Sequence, residues 1–235
     1  MNKSEVLILL KENENEKGIK NWNEMEFDKC HYESFGIGLT VLRKLAKQIG
    51  KDHALAEDLW SSNNYDLKVV SVLIDDPKLI TRSQMESQVE DINFGYLVHV
   101  FSACGAPTAK TPFIVELATD WIESHDSVRR RCAYGFLYEL SKSKKKTAPN
   151  DDFFLKYIKH IDNSFNKEDK SVYMSMSAAL MGMGKRNKIL NQAAIKVAKN
   201  IGPIPVETGK TNCEPFDVTK HLTSDSLIKK FNSQA

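Results

Sequence analysis

The sequence predicts an all-α fold built from short amphipathic helices in consecutive pairs. Apolar residues recur at helical spacing through most of the 235 residues, and none of these stretches alternates in the manner of a strand. Ser127 and Ser171, 44 residues apart, each open an apolar helix after a short polar turn, a period typical of helical repeats. An irregular helical bundle would give a similar pattern and is the alternative interpretation.

The predicted helices follow one another along the chain, separated by polar turns. Gly50 is suited to end one of them as a C′ residue, an Asp-Asp-Pro sequence ends another, and Thr81 is a suitable N-cap. The predicted helical stretches are Ser4–Glu12, one within Lys17–Ser34, Leu39–Ile49, Asp52–Trp60, Tyr65–Ile74, Ser83–Val89, Pro112–Glu123, Ser127–Ser141, Asp151–Ile161, Lys170–Met183, Lys188–Ala198 and Thr223–Phe231.

The segment Ile201–Val218 has a different character, with three prolines and two glycines among β-favouring residues. Ile204–Glu207 and Thr211–Phe216 would pair as a β-hairpin across a Thr-Gly-Lys turn, or the segment is an ordered loop before the last helix. We expect a single domain over 1–235. Its parts would be an N-terminal helical cap (1–34), helical repeats (35–200), the hairpin (201–218) and a C-terminal helix (219–235).

The composition is that of an ordinary globular protein, 41% apolar and 27% charged, and the net charge of +2 argues only weakly for a polyanionic partner. Four cysteines occur without a CxxC pair or zinc spacing, which indicates free thiols in a reducing cytoplasm. The apolar run Val6–Leu10 is too short for a signal peptide, and no stretch suits a membrane span. We expect a cytoplasmic protein without metal, cofactor or membrane association.

Three segments carry a resemblance to a known family: GIGLTVLRKLAKQIGKDHALAEDLW, SVLIDDPKLIT and GMGKRNKILNQAAIKVAKNIG. They resemble the HEAT-like-repeat DNA glycosylases of the AlkC/AlkD alkylation-repair superfamily. The resemblance implies a curved α–α superhelix of HEAT-like repeats. It also implies DNA as the partner, whether duplex, damaged or branched.

In the AlkD branch, the resemblance implies excision of a cationic N-alkylated base by a carboxylate, with two tryptophans and a phosphate-holding arginine. The matching positions are Gly95 for the first tryptophan, His99 for the carboxylate, Ala178 for the second tryptophan and Arg130 for the arginine. A neutral imidazole lacks the needed negative charge, and a protonated one would repel a cationic sugar. The pattern therefore predicts a DNA-binding protein without glycosylase activity, most similar to the AlkF/AlkG branch, which is associated with branched DNA.

Basic residues are the remaining candidates for contacts with DNA. Arg129, Arg130 and Arg131 would fan out around a helix, so only one or two could face a common groove. Lys185 and Arg186 close a predicted turn at Gly182–Gly184 and precede a helix start, where backbone amides suit a phosphate. The expected DNA-binding residues are Arg129, Arg130, Lys185, Arg186, Lys188, Lys68, Lys44 and Lys210, along a basic concave surface.

Two alternative functions stay open at this point. Glu90 or Asp91 would serve as a relocated acid in an active DNA N-glycosylase that excises 7-methylguanine or 3-methyladenine. A protein-interaction scaffold is the other alternative, because HEAT-like repeats commonly serve that purpose. The pattern predicts no particular oligomeric state.

Overall fold

Helices supply all of the regular structure except for isolated bridges. The computed structural model describes residues 1–25, 32–92, 95–205 and 214–233, and in these ranges the only β-pairing consists of isolated bridges. The chain divides into two compact units, Met1–Ile114 and Val115–Ala235. No helix among the described residues is long and apolar enough to cross a membrane.

The first unit is organised around one buried helix. Helix α5 (Tyr65–Ile74) is buried on nearly all sides, since nine of its ten residues are buried, among them the polar side chains of Asp66, Lys68 and Ser71. The other helices of the unit are α1 (Lys3–Lys11), α2 (Glu16–Glu24), α3 (Leu39–Ile49), α4 (His53–Trp60), α6 (Arg82–Gln88) and α7 (Leu97–Ser102), with 3₁₀ turns at Val89–Asp91 and Thr108–Lys110. Four of them, α1, α3, α4 and α7, pack against α5.

The second unit contains the two helices of the 44-residue echo, and they pack directly against each other. They are α9 (Ser127–Lys142) and α11 (Lys170–Gly184), capped by the side chains of Asp126 and Asp169. The other helices are α8 (Ile114–Ile122), α10 (Asp151–Ser164), α12 (Lys188–Ile201), α13 (Val218–Leu222) and α14 (Asp225–Asn232), with a 3₁₀ turn at Phe165–Lys167. Helices α10 and α12, which follow α9 and α11, also pack together, as equivalent helices of consecutive repeats do.

The termination signals in the sequence act as expected. Gly50 ends α3 with a φ of 84°, and Thr81 caps α6 through a hydrogen bond from the Gln84 backbone N–H at 3.1 Å. Gln84 completes a capping box by accepting from the Thr81 backbone N–H. Such local interactions set the bounds of helices, and α3 and α5 both begin and end at the predicted residues.

Other expectations need correction. Gly182 and Gly184 lie inside α11 and do not form a turn; a Cβ on Gly182 would meet Tyr138 Cδ2 at 2.6 Å, so the glycine allows α9 and α11 to approach closely. Most of the predicted hairpin, residues 206–213, lies outside the described residues. The described part is a single antiparallel bridge between Ile204 and Phe216, which does not support a hairpin.

Candidate functional site

The backbone at Gly95 leaves no room for a side chain. Gly95 has a φ of 58°, in the left-handed region that glycine favours. A Cβ here would lie 2.5 Å from the Tyr65 hydroxyl oxygen and 3.0 Å from Cζ of the same ring. The Tyr65 hydroxyl is fixed because it accepts a hydrogen bond from the Tyr96 backbone N–H at 2.9 Å. Tyr65 therefore obstructs the place that the resemblance assigns to the first tryptophan.

Tyr65 belongs to an aromatic cluster in the first unit. Its ring centroid lies 4.7 Å from that of Trp22 and 5.3 Å from that of Tyr96, the latter edge-on. The Tyr96 hydroxyl donates to the Ile37 carbonyl at 3.2 Å. Burial raises the pKa of both phenols, so both stay protonated at neutral pH. A cavity of about 180 Å³ lies beside these rings. Trp22 lies in an aromatic-rich stretch of the sequence, but no motif there indicates its place in this cluster.

The carboxylate of Asp66 follows Tyr65 directly in sequence, and it is buried and hydrogen-bonded to its own unit. Its oxygens accept hydrogen bonds from the Ser34 hydroxyl at 2.7 Å and from the backbone N–H groups of Phe35 and Ile37 at 2.7 and 3.3 Å. Burial raises the pKa of Asp66, and these hydrogen bonds oppose the rise. Asp66 thus holds the segment before α3 in place and is not a free catalytic acid.

His99 is exposed on α7 and pairs with a thiol. Its Nε2 lies 2.7 Å from Sγ of Cys104, which is also exposed. The position that the resemblance assigns to the catalytic carboxylate therefore carries a thiol–imidazole pair.

Asp91, considered above as a relocated acid, is an ion-pair partner of Lys68. The Lys68 ammonium lies 3.2 Å from the Asp91 carboxylate and donates to the Trp60 carbonyl at 2.8 Å. It also lies 4.3 Å from the centroid of the Trp60 ring, and only 3% of the Lys68 side chain is exposed. Burial lowers the pKa of Lys68, while Asp91 opposes that change. Lys68 was predicted to bind DNA, but its contacts are directed into the first unit.

Arg130, the arginine retained from the family pattern, is held by an acid of its own unit. Its guanidinium makes a bidentate pair with Glu168, with Nη2 at 2.6 Å and Nε at 2.9 Å from the carboxylate oxygens. Nη1 donates to the Ser124 carbonyl at 2.7 Å. Hydrogen bonding to Glu168 raises the pKa of Arg130. A phosphate would therefore have to share Arg130 with Glu168.

The neighbouring arginines point to different surroundings, as expected for consecutive helical positions. Arg129 donates to the Asp126 carboxylate at 3.0 Å. The Arg131 Nε is buried and has no hydrogen-bond partner among the described residues, and burial lowers the pKa of Arg131. The three residues therefore do not act as one basic patch.

Arg186 ties down the loop between α9 and α10. Its Nη1 donates to the carbonyls of Ser141 and Ser143 at 3.1 and 2.8 Å, and its Nη2 donates to the Pro149 carbonyl at 3.4 Å. The guanidinium also lies 5.0 Å from the centroid of the Phe154 ring. These contacts require the planar fork of an arginine.

A basic cavity surrounds Arg186 in the second unit. It has a volume of about 480 Å³, and Asp151 is the one acid among its described lining residues. Burial lowers the pKa of Lys185 there, so a bound anion would favour its charged form. The basic cavity, as we call it below, is lined by the cationic residues Lys142, Lys144, Lys185, Arg186 and Lys230.

The other predicted residues lie elsewhere. Ala178 is half-buried on α11, and Lys44 and Lys188 are exposed on α3 and α12. Lys210 lies outside the described residues. Among the residues that the structure describes, no cluster of His, Cys, Asp and Glu is suited to hold a metal ion.

The sequence model of the DNA alkylation repair enzyme family matches residues 7–204. The chain belongs to this family. Two curated relatives of this chain are uncharacterized proteins: Lin0241 of Listeria innocua serovar 6a, 23% identical, and Lmo0209 of Listeria monocytogenes serovar 1/2a, 22% identical. Each alignment spans 190 residues, which is 80% of this chain and 81% of the relative.

A solved structure shows the same fold as this DNA alkylation repair family member. It superposes with a TM-score of 0.79 at 19% identity and covers 100% of this chain and 95% of the other. That protein belongs to a new family related to the HEAT-like repeat DNA glycosylases, with affinity for branched DNA structures. The all-helical, HEAT-like repeat fold predicted from the sequence is thus confirmed.

Proposed function

We propose that this member of the DNA alkylation repair family binds DNA, with a preference for branched or damaged forms, and does not excise bases. The obstruction of position 95 by Tyr65 is the observation that carries the proposal. The tryptophan of the AlkD pattern is absent from this position, and Tyr65 also occupies the space that its ring would need. The solved relative with affinity for branched DNA supports DNA as the ligand. Among known branches, AlkF/AlkG fits this description best.

The chemistry of base excision supports the absence of that activity. Loss of a cationic base leaves positive charge on the sugar, which a carboxylate stabilises. At the corresponding position, the His99 imidazole faces the Cys104 thiol, and neither its neutral nor its protonated form supplies negative charge to a sugar. The nearby Asp91 is paired with Lys68, and Asp66 is enclosed by its hydrogen-bond donors.

The basic cavity of the second unit is the surface we assign to phosphate groups. Its five cationic side chains surround a space large enough for a phosphodiester, and the contacts of Arg186 keep the underlying loop in place. Phosphate contacts give affinity without sequence readout, and the shape of the DNA gives preference. Lys185 and Arg186 were among the DNA-binding residues predicted from the sequence, whereas Lys142, Lys144 and Lys230 were not.

The first test is a salt titration with the double variant Lys144→Gln/Lys230→Gln. We expect weaker binding to both a duplex and a four-way junction, with the slope of log K against log salt reduced by about two, because each lost phosphate contact removes about one. Fluorescence anisotropy at several salt concentrations measures this slope.

The control is Lys159→Gln/Lys199→Gln, which removes the same charge from exposed positions of the same unit outside the basic cavity. An equal loss of slope in the control would show that the basic cavity has no special part in binding. If the native protein binds no DNA at ~0.15 M salt, where the Debye length is about 8 Å, the scaffold alternative would replace the proposal.

The second test is single-turnover base release from methylated duplex DNA with protein in excess. We expect 7-methylguanine release at the rate of the protein-free control, because position 99 carries a histidine and Asp91, a candidate substitute acid, is paired with Lys68. Chromatography of the released bases measures it. Release above the control that disappears in Asp91→Asn would establish the glycosylase alternative instead.

A further inference from the structure

A thiol–imidazole pair lies at the end of α7 in the first unit. Cys104 Sγ and His99 Nε2 are 2.7 Å apart, within hydrogen-bonding distance, and both residues are exposed. Cys104 has a φ of 57°, the only positive φ among the described non-glycine residues. A left-handed conformation of this kind is strained for a residue with a Cβ, and such strain is concentrated at functional sites.

The cysteine also borders a basic cavity of the first unit, separate from the one described above. This thiol cavity has a volume of about 520 Å³ and is lined by Arg43, Lys47 and Lys51 beside Cys104, with no acidic lining residue among those described. The Arg43 Nη2 is buried and has no hydrogen-bond partner among the described residues. Lys51 has one carboxylate, that of Asp76, at a long 3.9 Å. The cavity thus places one unsatisfied guanidinium donor and two exposed ammonium groups next to a thiol.

We propose that Cys104 is a reactive thiol that forms mixed disulfides with small anionic disulfides held in the thiol cavity. His99 takes the thiol proton, and the Cys104 thiolate attacks one sulfur of the bound disulfide. A bond forms between Cys104 and that sulfur, the original S–S bond breaks, and the other half leaves as a thiolate that takes up a proton. Cys104 is oxidised and the leaving thiol is reduced, so no further oxidant is needed.

The cavity argues for an organic anion as the co-reactant. Hydrogen peroxide is small and uncharged, so it would neither fill the cavity nor form an ion pair with Arg43, Lys47 or Lys51. A disulfide that carries carboxylates fills a volume of several hundred Å³ and pairs with those cations. An accessible thiolate in an electropositive setting is the environment in which reactive cysteines occur.

The experiment uses the full chain with Cys30→Ser and Cys213→Ser, so that Cys104 and the buried Cys132 are the remaining thiols. The rate of mixed-disulfide formation is measured by intact mass and peptide mapping with three probes: oxidised glutathione, which is anionic, neutral bis(2-hydroxyethyl) disulfide, and cationic cystamine. We expect modification at Cys104, fastest with oxidised glutathione and slowest with cystamine. Cys132 should react only after denaturation and serves as the internal reference.

Three variants separate the parts of the site. Cys104→Ser should lose the modification, and His99→Gln should slow it roughly tenfold with all three probes, because the group that takes the thiol proton is then absent. Lys47→Gln/Lys51→Gln should abolish the preference for the anionic probe, whereas the exposed pair Lys78→Gln/Lys110→Gln should keep it. The proposal is overturned if Cys104 reacts no faster than free N-acetylcysteine, or if the order of the probes ignores their charge.

Discussion

Gly95→Ala is expected to lower the free energy of unfolding by about 2–4 kcal/mol, as the sum of a left-handed backbone penalty and an overpacked contact. The added Cβ would lie 2.5 Å from the hydroxyl oxygen of Tyr65, a buried residue that cannot swing into solvent. Urea denaturation followed by circular dichroism measures the loss. A tryptophan here, as in the AlkD pattern, would displace the whole Tyr65 ring.

Two controls separate the backbone penalty from the contact. Gly105 has a φ of 79° with open space around its Cβ direction, so Gly105→Ala should cost only the conformational part, about 1–2 kcal/mol. Combining Gly95→Ala with Tyr65→Phe should recover part of the remainder, because the nearest atom is then absent. If Gly95→Ala costs no more than Gly105→Ala, Tyr65 does not obstruct this position.

Glu168→Ala is expected to lower the free energy of unfolding by about 2–3 kcal/mol, somewhat less than the ~3–5 kcal/mol of a fully buried pair. The variant leaves the Arg130 guanidinium, 17% exposed, without its bidentate partner, while the Ser124 carbonyl still accepts one hydrogen bond. The matched control is Glu214→Ala, whose pair with Lys220 is largely exposed and should change stability by less than ~1 kcal/mol.

The same variant distinguishes two roles of Arg130. If Arg130 faces DNA, Glu168→Ala should strengthen DNA binding, because the guanidinium no longer divides its donors between a carboxylate and a phosphate. If Arg130 only joins α9 to the segment before α11, stability should fall while DNA affinity stays the same. An unchanged stability would instead show that the ion pair contributes little to the fold.

The sequence predicted most helices because their signals are local. Leu39–Ile49 and Tyr65–Ile74 were predicted with the bounds that the structure shows, since Gly50 and Asn64 act within a turn of the helices they delimit. Helices α7 and α13 were missed because six and five residues are too few to display a helical period. The glycines at the end of α11 were misinterpreted as a turn because glycine is typical both of turns and of places where two helices pack closely.

The candidate site was less predictable because its interactions are long-range. That Gly95 and His99 depart from the AlkD pattern is visible in the sequence, but the approach of Tyr65, thirty positions earlier, is not. In the same way, Glu168 lies 38 residues from Arg130, and the carbonyl partners of Arg186 lie 37 to 45 residues away. The sequence alone therefore does not show whether a basic residue is free to bind a phosphate, because its partner in the fold comes from a distant part of the chain.

The contacts of Arg186 also have an entropic consequence. By holding the carbonyls of Ser143 and Pro149, this one side chain closes the lysine-rich loop between them at both ends. Fixing a free backbone costs about 1–2 kcal/mol of conformational entropy per residue, and in this loop part of that cost is met when the protein folds. A polyanion that binds Lys144 therefore meets a tethered loop, and less of its binding free energy is lost to ordering the chain.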